Sequence, residues 1–598
     1  MSIKLKNIWN ILLPLSLLAA GACQHDDLRA PAEDLEEEAY LVIKIALPMN
    51  DGDTRSYPTG GEEGDGREEA VLNEDIIHDI NLFFYADNQG LDGSEDSEIL
   101  YKIFYNLDNP EDSRNTKLKV LEWSDPSPYG QRFIELSVTA IDSEIENIKI
   151  KKDDHFAVVA NAGYISDEIA TLGDLRNLNL DKTWTQSTAS TNAADMDRFI
   201  MSTGFNSEYY YNNRSTGKNI IEYRNEKYSG ATTLQRLSAR IDLWYSAVAN
   251  ADISANETAN SNKINRLTYV IENAPLNKVY IQNVLPVNVM QSGSFLFKKV
   301  TKSATGWTRD QLMTAEISWA GKEAPFDNQG NGDRPQNYVL DPYTLVKEPG
   351  GSVENNNLWY GQTSLNQVKE AIKTGSTGKL TDYYDMTRVR VAGDVDVDCD
   401  RISIISYANE NTNPTDCFHS TYLTGLVFRG VYVPAKIYKE YTGDELIEMT
   451  NEDWTENFGI NDKLYRYSES VGGKVDESKS YYFSKKDALD KYKAAHPSEN
   501  AVWEEYDYGI ENGQYGILCY YNLWLRHYND TYPADSSSDP HDKLPMEYAI
   551  VRNNIYRVAL SFSGPGDPTP TMREPDTMQA RIFVRKWNLR EEGEALEF

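Results

Sequence analysis

The chain has 598 residues, with 59 Lys and Arg against 93 Asp and Glu, so its formal net charge is −34. Such an acidic chain is repelled by nucleic-acid phosphates, which excludes nucleic acid as a partner, and its charge gives no reason to expect attraction to anionic lipid headgroups. Apolar residues make up 40% of the chain, enough for sizeable cores, and the 39 Tyr and 11 Trp favour strands over helices. The 7 His and 4 Cys leave little material for a metal or thiol site.

The first residues have the layout of a secretory signal. Lys4 and Lys6 give a basic start, and residues 11–22 form an apolar run that ends in small side chains. This run is too short to span a bilayer, which needs about 20 apolar residues.

The end of this segment resembles a bacterial lipobox, with the sequence Ala20-Gly21-Ala22-Cys23. Residues 1–23 are therefore interpreted as a lipoprotein signal, in which Cys23 receives the lipid (palmitate) and becomes the new N-terminus. The alternative is an ordinary signal peptide with a chance Cys. The next residues, 24–27, resemble an acidic tag that directs lipoproteins to the outer face of some Gram-negative bacteria.

A first strand is predicted over residues 40–48, after an acidic tether at 24–38. Its residues alternate with a period of two, which indicates a strand with one buried face. That face carries Leu41, Ile43, Ile45 and Leu47. We expect the strand to lie at a sheet edge, above an apolar groove.

A solvated loop follows at residues 50–69, which are rich in Gly, Asp, Glu, Pro and Thr. Arg55 and Ser56 stand in its polar middle. Exposed loops of this composition are where proteases cut, so the Arg55–Ser56 bond is a candidate for proteolysis.

Short strands dominate the rest of the chain, and such strands with turns between them favour β-sandwiches. They are predicted at 79–85, 132–140, 156–160, 234–245, 278–284, 315–319, 402–407, 426–433, 517–525, 555–562 and 580–587. Two helices are predicted, one at 364–373 and one at 484–495, each starting at a Ser cap. A polar stretch at 250–263 is the candidate boundary between an N-terminal domain, 56–250, and a C-terminal domain, 251–598.

No motif of a catalytic site is present, and we expect neither an enzyme nor a cofactor. The sequence Gly375-Ser-Thr-Gly-Lys379 lacks the spacing of a phosphate loop and is interpreted as a helix end and turn. Four carboxylates alternate from Asp394 to Asp400, where a solvated strand edge is favoured over a calcium site because no calcium-loop spacing follows. In an exported compartment Cys399 and Cys417 could form a disulfide. Cys519 would then be a free thiol or would pair with another chain.

Several segments, in order along the chain, resemble the fimbrillins, the type V pilins. The longest runs from Met546 to Val558 and, with Gly564-Pro565-Gly566 and 582–587, resembles the C-terminal signature of the Mfa-type and FimA-like fimbrillins. Further matching segments are 156–163, 172–176, 199–202, 233–243, 338–342 and 430–434. The resemblance implies two transthyretin-like β-sandwich domains and no catalysis.

The resemblance also implies a mechanism of assembly. A lipid-anchored precursor reaches the outer membrane, and an arginine-specific surface protease cuts it after the first strand. Arg55 matches that site, with Arg67 as the alternative, so residues 24–55 would be a propeptide that contains the removable strand. The vacated groove would then accept a strand from another copy of the chain.

The tail at residues 588–598 is the expected donor strand, through Leu589, Leu596 and Phe598. Their spacing does not follow a simple period of two, although Gly593 could host a bulge. The implied product is a fimbrium at the cell surface that acts in adhesion, colonisation and biofilm formation, together with accessory fimbrial subunits. The alternatives are a tip or anchor subunit, or a surface glycan-binding lipoprotein that uses the many aromatic residues.

Overall fold

The computed structural model describes a defined part of the chain. The described residues are 38–46, 67–69, 74, 77–85, 97–115, 119–121, 133–141, 155–166, 168–180, 183–186, 196–203, 210–212, 220–225, 232–245, 267–271, 274–289, 294–295, 365–374, 384–385, 401–411, 423–457, 462–471, 474–475, 477–511, 513–527, 548–572, 575 and 577–588.

Strands make up most of this part. In the first half they are β1 (Glu38–Ala46), β2 (Arg67–Glu69), β3 (Asp79–Tyr85), β4 (Ile99–Asn106), β5 (Lys119–Leu121), β6 (Phe133–Ile141), β7 (His155–Ala160), β8 (Asn179–Leu180), β9 (Thr185–Gln186), β10 (Met196–Asp197), β11 (Met201–Thr203), β12 (Tyr210–Asn212), β13 (Ile220–Asn225), β14 (Thr232–Arg236), β15 (Ala239–Tyr245), β16 (Leu267–Ile271), β17 (Ala274–Val287) and β18 (Ser294–Phe295).

The later strands are β19 (Tyr384–Asp385), β20 (Arg401–Ala408), β21 (Gly425–Val433), β22 (Tyr438–Tyr441), β23 (Leu446–Glu448), β24 (Lys463–Val471), β25 (Lys474–Val475), β26 (Tyr481–Phe483), β27 (Ala501–Glu511), β28 (Gln514–Trp524), β29 (Asn554–Phe562) and β30 (Met578–Asn588). The helices are short: α1 (Leu172–Asn177), α2 (Leu365–Thr374), α3 (Asn451–Asn457) and α4 (Lys486–Ala495).

The first sheet has ten strands, all from residues up to Arg236. They follow the order β12-β13-β1-β14-β11-β7-β3-β4, with β6 paired to β1 and β5 paired to β6. β14 pairs first with β1 and then with β11, so it joins two groups of strands. β3, with the sequence DINLFFY, is buried throughout, and Phe83 and Tyr85 form a core with β7 and α1.

Two further sheets share one core. The six-stranded sheet has the order β19-β20-β15-β29-β30-β2, and the second ten-stranded sheet has the order β16-β17-β21-β28-β27-β24-β26-β22-β23 with β25 on β24. One buried cluster contains Ile241 and Val558 of the former together with Phe428 and Ile517 of the latter. Two sheets packed across a common core form a β-sandwich, which confirms the predicted mostly β fold.

Helices α2 and α4 cover the opposite face of the second ten-stranded sheet. On β28, Tyr521 belongs to the core shared by the two sheets, whereas Tyr520 packs with Val368 and Ile372 of α2. Further along the same sheet, Leu489 and its neighbours on α4 pack against aromatic residues of β22, β24 and β26. The described residues contain no helix long and apolar enough to cross a membrane.

The first strand differs from its prediction in two ways. It covers Glu38–Ala46 rather than 40–48, so Leu47 lies outside the described residues. The expected position at a sheet edge is wrong, because β1 has strand partners on both sides. The strand predicted at 315–319 also lies outside the described residues.

The predicted strand at 234–245 is in fact two strands, because the chain changes sheet between Arg236 and Ala239. β15 pairs with β20 and β29, which come from the C-terminal part of the chain. The division into domains at residue 250 stays a prediction, since 246–266 lie outside the described residues.

Both predicted helices are present, but one begins differently. α2 matches its prediction to within one residue at each end. In α4 the N-cap position is held by Lys485, which makes no side-chain capping bond, and Ser484 instead donates through Oγ to the Tyr438 carbonyl oxygen at 3.4 Å. The predicted Ser484 cap is therefore wrong.

Candidate functional site

Strand β1 is paired along both of its edges. On one side β6 runs antiparallel to the whole strand, from Glu38 opposite Ile141 to Ala46 opposite Phe133. On the other side β13 runs parallel to residues 40–43, and β14 runs parallel to the last two residues. Loss of β1 would therefore leave backbone N–H and C=O groups without their partners on three neighbouring strands.

The predicted apolar face of β1 stands opposite apolar residues of β6. The directly opposed pairs are Leu41 with Val138, Ile43 with Leu136 and Ile45 with Ile134. Residues directly opposite one another in an antiparallel pair lie on the same face of the sheet. The apolar residues that alternate along β1 are thus matched by apolar residues that alternate along β6.

The short strand β2 lies beside the C-terminal strand β30. Arg67, Glu68 and Glu69 run parallel to Lys586, Trp587 and Asn588. Arg67, the alternative processing residue, is consequently part of a β-ladder. Along the chain, β1 belongs to the first sheet, β2 to the six-stranded sheet and β3 again to the first sheet.

A buried charged cluster connects these sheets, with Glu74 at its centre. The Glu74 side chain is fully buried, accepts a hydrogen bond from Arg240 Nη1 at 3.0 Å and accepts another from the Tyr407 hydroxyl at 2.6 Å. Arg236 Nε, at the end of β14, donates to the Glu74 carbonyl oxygen at 3.0 Å. Arg240 also pairs with Asp242, at 3.0 Å.

The electrostatics of this cluster keep Arg240 charged. Burial lowers the pKa of its guanidinium, but the carboxylates of Asp242 and Glu74 outweigh this effect and raise the pKa above its ordinary value. The segment from 233 to 243 that resembles the fimbrillins thus supplies the cations of the cluster. Glu74 was not singled out from the sequence, since no motif marks this Glu among its largely apolar neighbours.

The C-terminal signature is fixed by a second buried ion pair. Arg552 donates through Nε and Nη2 to the two carboxylate oxygens of Glu410, each at 2.8 Å, and both side chains are 1% exposed. The next residue, Asn553, has a φ of 57° and donates its backbone N–H to the Ser238 carbonyl oxygen. The ion pair joins the turn before β29 to the residues after β20, and the Asn553 bond joins it to the connection between β14 and β15.

The Gly564-Pro565-Gly566 turn packs closely against β28 and a buried carboxylate. A Cβ atom on Gly566 would lie 2.2 Å from the Tyr520 carbonyl oxygen, and one on Gly564 would lie 3.0 Å from Glu477 Oε2. Glu477 pairs with Arg466 at 2.7 Å. These glycines are therefore explained by close packing.

Glu477 also accepts hydrogen bonds from the hydroxyls of Tyr432 and Tyr482. Burial raises the pKa of both tyrosines, and the Glu477 carboxylate adds to the effect, so both hydroxyls stay protonated as donors. The cluster is a buried structural network in which Arg466 Nε alone lacks a hydrogen-bond partner among the described residues.

Most of the site residues predicted from the sequence lie outside the described residues. These are Cys23, Arg55, Ser56, Leu47, Leu589, Leu596 and Phe598, together with Cys399, Cys417 and the carboxylates from Asp394 to Asp400. Cys519 is described: it is a buried free thiol on β28, and burial raises its pKa to about 11. Among the described residues no group of His, Cys, Asp and Glu is placed to hold a metal ion.

Comparison with known proteins gives a family-model match within the C-terminal part of the chain. The family model for the C-terminal part of fimbrillin, the type IV major fimbrial subunit protein, matches residues 514–593, which include β28, β29 and β30. No curated protein matches the chain in sequence.

The solved structures that match the chain include two from Porphyromonas gingivalis. The tip fimbrial protein Mfa3 is 9% identical, with a TM-score of 0.29, and the match covers 92% of this chain and all of that one (100%). A fimbrilin, FimA, is 12% identical, with a TM-score of 0.29 and coverage of 92% and 98%. Fimbrillins are structural, non-enzymatic subunits, and residues 514–593 of this chain are similar to the C-terminal part of that family.

Proposed function

We propose that the chain is the precursor of a polymerising shaft subunit of surface fimbriae. The precursor is lipidated at Cys23 and held at the outer membrane, and an arginine-specific surface protease cuts it between Arg55 and Ser56. The cut releases β1, and the tail of a second copy, residues 588–598, takes its place. The observation that supports this best is that β1 has strand partners along both edges although it precedes the cutting site.

The energetic demand created by the cut is large. If the four aliphatic side chains of the predicted face are withdrawn from a core, the loss is about 6–12 kcal/mol as an upper estimate. A typical domain is stable by only about 5–15 kcal/mol. The unpaired edges of β6, β13 and β14 add to this cost, so a replacement strand is strongly favoured.

The pairing of β1 also fixes how a replacement must enter. To use the same partners, the donor strand has to run antiparallel to β6 and parallel to β13. Because donor and acceptor are different surfaces of the same chain, the contact is head-to-tail and extends into a filament. Such a filament would serve adhesion, colonisation and biofilm formation.

The test is cleavage of purified precursor with an arginine-specific protease. We expect fibres in the electron microscope and a new N-terminus at Ser56. Arg55→Ala should leave the precursor uncut and monomeric, whereas the matched variant Arg67→Ala should assemble like the wild type. Cleanly cut chains that stay monomeric would refute a shaft role; if they ended fibres of other subunits, the chain would be a tip subunit.

A further inference from the structure

We propose that β2, anchored by Glu74, fixes the base of the donor tail and so sets the direction in which the tail leaves the subunit. The inference rests on the proposed assembly by strand exchange and adds a positioning role for a segment between the cutting site and the first domain. β2 is retained when the chain is cut at Arg55, and its first residue is the cut residue when the chain is cut at Arg67.

The first observation concerns the end of β30. Its pairing with β29 ends where Asn554 stands opposite Lys586. Beyond that point, the backbone of Trp587 and Asn588 pairs with β2. Among the described strands, β2 is the one that keeps these last two residues in the sheet, immediately before the tail.

The second observation concerns what holds β2 in place. Glu74 comes five positions after the end of β2, at Glu69. Its side chain is 0% exposed and is bonded to Arg240 and Tyr407, while its carbonyl oxygen accepts from Arg236. The five positions between Glu69 and Glu74 span at most about 18 Å, so a cut at Arg55 leaves β2 tethered near β30 on its downstream side.

The consequence for assembly follows from chain entropy. A tail that leaves the sheet at a fixed point and in a fixed direction explores fewer conformations than one that is free from Lys586 onward. Fewer conformations raise the effective concentration of the tail at the groove of the next subunit. β2 therefore favours assembly by pre-organising the donor.

Glu68→Pro tests this role, because proline removes a backbone donor and restricts the preceding residue, which disrupts so short a strand. Glu68→Ala keeps the backbone groups and is the matched control. Both precursors should melt as the wild type does and be cut equally at Arg55. After the cut, we expect Glu68→Pro to form fibres about tenfold more slowly, measured by light scattering, and Glu68→Ala to match the wild type.

The double variant Arg67→Cys with Lys586→Cys tests whether β2 has to stay paired with β30 or to detach from it during assembly. The two residues are register partners in the parallel ladder, so a disulfide between the replacements would hold β2 on β30; the replacement also removes the alternative cutting residue. The oxidised protein, cut at Arg55, should assemble at least as fast as the same protein after reduction.

Two results would overturn the inference: wild-type fibre growth by Glu68→Pro, or an oxidised double variant that stalls until it is reduced. The second would mean that β2 has to detach before the tail can act. Failure of the proposed function looks different, since wild-type protein that is fully cut would then form no fibres at all.

Discussion

Buried ion pairs connect the C-terminal signature to the rest of the chain, and Arg552 with Glu410 has the most complete geometry of them. Glu410→Ala would leave a guanidinium that is 1% exposed without its bidentate partner. We expect a loss of about 3–5 kcal/mol in the free energy of unfolding, measured by urea denaturation.

Two controls make this measurement specific. Asp487→Ala breaks an exposed pair with Lys491 and should change stability far less, because solvent screens that pair. Replacing Arg552 and Glu410 together with Met and Leu should cost less than Glu410→Ala alone. An equal cost would mean that packing, and not the unpaired charge, decides the outcome.

The buried carboxyl of Asp79 gives a prediction with a defined sign. Its Oδ1 accepts from the Gly163 backbone N–H at 2.9 Å, and burial raises its pKa above the ordinary value. The contribution of a group with a raised native pKa is fully present below the unfolded pKa, about 3.9, and is lost as the pH rises. Asp79→Asn should therefore be more stable than the wild type at pH 7, and this advantage should disappear near pH 3.

Asp453 is the matched control of opposite sign. Its hydrogen bond from Lys439 and those from Thr450 lower its pKa to about 2, so its contribution is present at neutral pH and is lost on acidification. Asp453→Asn should be less stable than the wild type at pH 7, and this difference should shrink as the pH falls toward 2. Unfolding curves at neutral and acidic pH test both predictions. A change in stability of the same sign for Asp79→Asn and Asp453→Asn at pH 7 would contradict the opposite pKa shifts of the two carboxyl groups.

At the scale of the elements, the local sequence pattern predicted where strands form but not which strands pair with each other. The alternation of Leu41, Ile43 and Ile45 was sufficient to place a strand within two residues of β1. Its interior position was missed because β13, one of its partners, has the sequence IIEYRN, in which polar residues follow two apolar ones. Strand pairing is non-local, and a single sequence does not encode it in any short window.

For the candidate site, too, the sequence predicted the local segment but not its distant partner. The segment around Arg236 and Arg240 was identified by resemblance, but their partner Glu74 lies more than 160 positions earlier, at separations of 162 and 166. The change of sheet at Leu237 and Ser238 was also hidden, because residues 236–243 are buried without interruption and give no periodicity.

The first strand itself can be turned into an inhibitor. A synthetic peptide with the sequence of residues 38–48 matches the partners that β1 has in the precursor. Added during cleavage, it should occupy the groove and reduce the amount of fibre, measured by sedimentation, in proportion to its concentration. A peptide of the same composition in scrambled order should have no effect, and equal inhibition by both would argue against a specific groove.

The turn after β29 is sensitive to one methyl group. Gly566→Ala would place Cβ 2.2 Å from the Tyr520 carbonyl oxygen, which is backbone and cannot move aside cheaply. We expect a loss of about 1–3 kcal/mol or more. Gly513→Ala is the comparison: there the space is open and the strain comes from a φ of +72°, so about 1 kcal/mol is expected. Thermal denaturation of both variants tests the order.

At the scale of the whole molecule, the elements that precede β3 in the chain contact two different sheets. β1 completes the first sheet, β2 covers the end of β30 on the six-stranded sheet, and Glu74 enters the charged cluster between them. These elements thus contact both the proposed acceptor strands and the base of the proposed donor tail. A cut at Arg55 separates these two contacts, removing the first and keeping the second.

This division predicts where the backbone should become exposed after cleavage. Amides of β6 and β13 lose β1 as a neighbour, so peptides from 133–141 and 220–225 should exchange hydrogen for deuterium faster in the cut subunit. β21 and β28, in the middle of the second ten-stranded sheet, keep all their partners and should not change. The protection of β6 and β13 should return when the cut subunits polymerise, since a donor strand then supplies the missing partner. Faster exchange spread evenly over β6, β13, β21 and β28 would instead mean that cleavage loosens the entire fold. The removal of β1 would then be damage rather than a switch.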